Sequence, residues 1–81
     1  MRRLREQIAE RDRAILDAVN SRLKLVAELK RHKEQRGIDF VDSRQEERLM
    51  QALEQANAGP LSSEGVRKLW KEILALMKRE V

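Results

Sequence analysis

The chain has 81 residues, 41% hydrophobic and 40% charged, with 18 Lys and Arg against 14 Asp and Glu, a formal net charge of +4 and a pI near 10.0. So short a chain implies one domain over residues 1–81 with a thin core, marginal alone, whose charge must sit on defined helix faces for it to fold. The absence of Cys excludes disulfides and thiolate chemistry and fits a reducing, cytoplasmic setting; no apolar run approaches the ~20 residues of a membrane span, and no apolar signal core follows the basic residues 1–5.

One Pro, three Gly and 2% aromatic residues make a helix composition, poor in strand formers. Residues 4–35 contain neither Pro nor Gly, and Leu4, Ile8, Ile15, Val19, Val26 and Leu29 recur at helical spacings. Gly37 punctuates this segment as a helix-terminal glycine. A rod of this length spans roughly 48 Å, whereas a compact globule of this size is roughly 30 Å across. The helix therefore overhangs its own domain, and its stripe calls for a second chain. Residues 38–41 form a connector with apolar anchors. A second helix opens at Asp42 or Ser43 and should carry Leu49, Met50, Leu53 and Ala56 inward. Residues 57–60, Asn-Ala-Gly-Pro, read as a turn. A third helix starts with Ser62 or Ser63 as N-cap and Glu64 in its first turn. Its apolar stripe is Val66, Leu69, Trp70, Ile73, Leu76 and Met77.

The informative residues interrupt these stripes. At 100° per residue, Ile15, Val19, Val26 and Leu29 share an arc of about 80°, and Arg22 and Lys33 fall inside it. Arg11 lies at its edge; Arg5 and Asp12 flank the other side. Cations on an apolar seam either snorkel, pair with a core carboxylate such as Asp12 or Glu46, or await a buried anion. Glu46 shares a face with Leu49 and Leu53. The run Ser43-Arg44-Gln45-Glu46 is equally a capping box, and Asp42 equally a plain N-cap. His32 has no Cys or His partner at metal spacing, and there is no phosphate loop, nucleophile elbow or zinc motif.

Taken in register, Leu4-Arg5-Glu6-Gln7-Ile8, Asp12, Arg22, Lys33 and the pair Asp42 and Glu46 resemble the AroQ chorismate mutases. That family shows L-R-x-x-I-x-x-x-D on its first helix, Arg ten residues later, Lys eleven further on, and a D-x-x-R-E box opening the second helix. The resemblance implies an all-α, three-helix protomer with a long first helix, interlocked as a homodimer. It also implies conversion of chorismate to prephenate in phenylalanine and tyrosine biosynthesis, without metal or cofactor. Arg5 would be lent by the neighbouring subunit to grip a substrate carboxylate. Arg22 would hold a carboxylate from within, and Lys33 would meet the ether oxygen of the breaking bond and could also touch a carboxylate. Asp42 and Glu46 would sit near the substrate hydroxyl, Glu46 also ordering the cations. Gln45, Met77 and Val81 fall at further substrate-contacting positions. Three of these depart from the family: Gln45 replaces the box Arg, and Met77 and Val81 stand where Ser and then Gln or Glu are common. Glu80 is one residue out of register.

Two rival readings differ in class. An isochorismate–pyruvate lyase on the same fold would use a similar cationic pocket, but the pair Asp42 and Glu46 argues for the mutase. A basic helical nucleic-acid-binding or scaffold dimer is supported by the pI. Interspersed acidic residues and the lack of an aromatic platform oppose it. The expected partners are therefore a dianionic small molecule and a second copy of the chain, not nucleic acid or membrane.

Overall fold

The computed structural model describes all 81 residues and contains three helices, α1 (Arg2–Gln35), α2 (Ser43–Ala56) and α3 (Ser63–Glu80), with no strands. The 34 residues of α1, at about 1.5 Å each, make a rod of roughly 51 Å. That length sets the 53 Å long axis of the molecule, which is only 23 by 17 Å across. The radius of gyration, 15.3 Å, exceeds the roughly 12 Å of a compact chain this long.

Each helix end has a local cause. Gly37 adopts φ +66, a left-handed conformation that glycine reaches at no steric cost. The Ile38 N–H then donates to the Lys33 carbonyl at 2.8 Å and the Gly37 N–H to that of Glu34 at 3.2 Å. These are the two bonds of a Schellman motif, and they turn the connector back over the last turn of α1. Asp42 caps α2, its Oδ1 accepting from the Arg44 and Gln45 N–H groups at 3.1 and 3.2 Å. The cap is thus Asp42 rather than Ser43, which moves Glu46 out of the capping-box position and frees its carboxylate for another partner. Ser62 caps α3, its Oγ accepting from the Gly65 N–H at 3.0 Å. In the turn before it, Asn57 Oδ1 accepts from the Gly59 N–H at 3.0 Å, and Nδ2 donates to the Leu61 carbonyl at 2.6 Å.

α2 packs mainly on α3, and α1 touches this hairpin through α3. Only Met50, Val66 and Met77 are buried; Leu49, Leu53, Trp70, Ile73, Leu74 and Leu76 surround them half-buried. On the outer side Arg67 clasps α2, its Nη2 lying 3.0 Å from Glu47 Oε1 and its Nε pairing with Glu54. Two inward placements expected from periodicity fail within one chain. Ala56, at the end of α2, is exposed, and Leu69, about 60° around α3 from Val66, is 46% exposed. Both lie where one chain has no third layer to cover them. No residue of α1 is buried, and Leu4, Ile8 and Ile15 stand 61, 61 and 60% exposed. No helix is long and apolar enough to cross a membrane.

Candidate active site

A cavity of about 250 Å³ opens where the C-terminal half of α1, the connector and the α2–α3 hairpin meet. α1 lines it with Arg22, Val26, Leu29 and Lys33, the arc on which cations interrupt the apolar stripe. The connector adds Phe40 and Val41, α2 adds Asp42, Gln45, Glu46 and Leu49, and α3 adds Leu74, Met77 and Lys78. Apolar walls with a few convergent charges are the usual build of a small-molecule site.

The ionic groups differ in how they are engaged. Asp42 holds the α2 cap. Glu46 Oε1 is 2.7 Å from Lys78 Nζ. Lys33 Nζ donates to the Phe40 carbonyl at 3.1 Å, so the returning connector fixes its ammonium without neutralising it. Arg22 pairs with neither Asp12 nor Glu46, and its Nη1 is buried without a hydrogen-bond partner. Both carboxylates of the cavity are therefore already engaged, Asp42 by the α2 cap and Glu46 by Lys78, while two cations on α1 have no carboxylate partner.

Of the residues singled out from sequence, Arg22, Lys33, Asp42, Gln45, Glu46 and Met77 are brought together here. Gln45 accepts a long bond of 3.5 Å from Arg48, and Met77 is 2% exposed. Val81 lies outside the cavity lining; its carbonyl accepts from Lys30 Nζ at 2.7 Å. Glu80 is exposed and also outside the lining. Arg5 sits on the exposed far end of α1, seventeen residues or roughly 25 Å before Arg22. Lys78 is the functional-looking residue that sequence reading missed. The available signal was its spacing of four from Leu74 and its place beside Met77, at the edge of the α3 stripe. No group of three or more His, Cys, Asp and Glu side chains is placed to hold a metal ion.

Comparison with known proteins bears on this arrangement. A family model described as chorismate mutase type II matches residues 4–80. The chain is similar to the solved chorismate mutase of Thermus thermophilus in two forms. Form I is 34% identical over 91% of this chain and 92% of that one, with a TM-score of 0.89. Form II is 33% identical over 94% and 86%, with a TM-score of 0.92. A search of curated proteins finds no significant match. A family match over nearly the whole length, with two close structural likenesses above 30% identity, settles the assignment: the chain belongs to the chorismate mutase type II family and is an all-helical chorismate mutase.

Proposed function

We propose that this cavity is where chorismate rearranges to prephenate, with Arg22, Lys33, Asp42, Gln45, Glu46 and Met77 supplied by one chain and Arg5 by a second. The observation that carries the reading is the buried, unpartnered Arg22 Nη1 in a cavity that also holds Lys33. Leaving a charged donor unsatisfied is costly, and an incoming anion relieves that cost. Chorismate is a dianion, matching two cations without carboxylate partners.

The rearrangement is a concerted pericyclic shift that needs neither a nucleophile nor proton transfer. The site has two tasks. The first is to hold the compact chair-like conformer, for which a bidentate guanidinium on a carboxylate is well shaped. The second is to stabilise the negative charge that grows on the ether oxygen as the C–O bond breaks. A fixed ammonium there favours the transition state over the ground state, because its partner charge exists only in the former. Lys33, held by the Phe40 carbonyl, is assigned that role. Asp42, Glu46 and Gln45 are assigned to the substrate hydroxyl side, and Met77 to the apolar wall.

Arg5 cannot serve its own chain, since roughly 25 Å of helix exceeds any side chain's reach. The exposed stripe of Leu4, Ile8 and Ile15 suits cover by a second α1, which would carry Arg5 to the partner's cavity. We include in the proposal that nucleic acid is no partner and that the enzyme works in the cytoplasm; a salt-dependent gel shift or recovery in another cell fraction would refute those parts.

The direct test is spectroscopic loss of chorismate with Lys33→Ala. The fall should be chiefly in kcat, by roughly 10²–10³-fold, as for removal of a preorganised charge-stabilising donor. Lys33→Arg should be poor as well, because a planar fork does not reproduce a point contact. A pure KM effect would make Lys33 a carboxylate binder and refute its assigned role.

A further inference from the structure

We propose that Lys78 is a positioning residue of the substrate site: it neutralises the Glu46 carboxylate, holds it against the cavity, and keeps the pocket positive enough to accept a dianion. The inference rests on the assignment of the cavity as the chorismate site.

Three observations carry it. First, the Lys78–Glu46 pair is short, 2.7 Å, with the Glu46 side chain half-buried at 30% exposure and that of Lys78 40% exposed. Second, the pair is a partition. Lys78, Glu46 and Leu74 line the cavity on one side and a second, outer groove between α2 and α3 on the other. The outer groove already has its own tie between the helices, Arg67 with Glu47 and Glu54, and none of those three residues reaches the cavity. Holding α2 to α3 therefore does not require Lys78. Third, the charges lining the cavity within one chain are Arg22, Lys33 and Lys78 against Asp42 and Glu46, formally +1. Without Lys78 the sum is zero, and an unneutralised carboxylate faces an incoming dianion. Like charges in a partly desolvated pocket repel more strongly than in water. Lys78 also sits in the last turn of α3, where the helix dipole favours a cation.

The substrate carries its two negative charges in the ground state and keeps them through the transition state. A charge that acts on the whole dianion therefore changes binding of both states alike, and its loss appears in KM rather than kcat. In this Lys78 differs from Lys33, whose contact strengthens as the ether bond breaks.

The test uses the full-length enzyme and steady-state chorismate kinetics, with helicity and Tm measured for every variant. Lys78→Met, which keeps the length of the side chain, should raise KM about tenfold with kcat within about threefold. That is the low end for a charge-assisted contact, because the pair is partly exposed. Lys78→Arg should restore KM to within about threefold. In a Glu46→Gln background, Lys78→Met should cost less than about threefold, since no carboxylate remains to be neutralised. An unchanged KM in Lys78→Met overturns the proposal, and a lowered Tm with flat KM reassigns the pair as purely structural. An undiminished KM loss in the Glu46→Gln background also overturns it, because Lys78 would then act on substrate directly. Arg22→Ala in the same assay separates the two readings. If Arg22→Ala is fully active, the assignment of the site fails. If it is inactive while Lys78→Met behaves as wild type, only the role of Lys78 fails.

Discussion

The two halves of α1 carry the same apolar stripe and meet different surroundings. In the C-terminal half, Val19, Val26 and Lys33 are half-buried, and Val26 and Lys33 line the cavity with the hairpin and connector. In the N-terminal half, Leu4, Ile8 and Ile15 are about 60% exposed, though their spacing is as regular. A helical stripe specifies which face must be covered and is silent on what covers it. The comparison also separates the two arginines. Arg22 is part of a cavity within its own chain, whereas Arg5 lies on the exposed half, outside that cavity.

The largest effect that can break this comparison comes from those arginines. Arg5→Ala and Arg22→Ala should each lose roughly 10²–10³-fold in kcat/KM. Mixing the two after subunit exchange should recover activity toward about a quarter of wild type. Half of randomly paired dimers are mixed, and each mixed dimer has one of two sites with both arginines intact. Exchange shown by mass spectrometry without any recovery would place Arg5 outside the shared site.

Next in size is Ile8→Asp, in the open half. A charge forced into an apolar seam between two chains costs several kcal/mol, so sedimentation at micromolar concentration should show monomer or unfolded chain. If Ile8 is merely solvated, stability should change by no more than about 0.5 kcal/mol, and the expected cover by a second α1 would be lost with it. The same substitution distinguishes the halves, because it touches no cavity residue.

A smaller effect tests the closed half. Asp42→Ala removes the cap of α2 and should cost about 1 kcal/mol, a fall of roughly 4–8 °C in Tm for a domain of this size. Asp42→Asn should keep most of that stability. Any further loss of activity in the Asn variant then reports the carboxylate's part in the site and not its part in the helix.

The smallest effect lies on the outer face of the hairpin. The hydrogen bond and positive charge of Arg67 hold the Glu47 carboxyl below its ordinary value of 4.5. Its folded-state pKa being depressed, the pair's stabilisation is present above that value and is lost as pH falls through the lowered one. Glu47→Gln should thus lower Tm by a degree or two at pH 7 and by less at pH 3. The pair is exposed, so added salt should shrink the difference as well. A pH-independent Tm difference would mean that Glu47 contributes through packing alone.

Sequence alone determined the three helices, the glycine end of α1, the caps to within one residue, and the arc on which Arg22 and Lys33 meet. These are short-range matters, set by the 100° turn per residue, by glycine's access to positive φ and by side-chain oxygens within three residues of an N–H. Resemblance in register added the activity, which the comparisons bear out. Tertiary structure decided the rest. Whether Glu46 capped its own helix or faced the cavity depended on Asp42 taking the cap and on α3 bringing Lys78 to it from 32 residues away. Whether Arg22 paired with Asp12, paired with Glu46 or stayed without a partner depended on the docking of α1 on the hairpin, as did the exposure of Leu69. Such outcomes rest on contacts distant in sequence, where many partners are chemically equivalent and only the three-dimensional path of the chain selects among them.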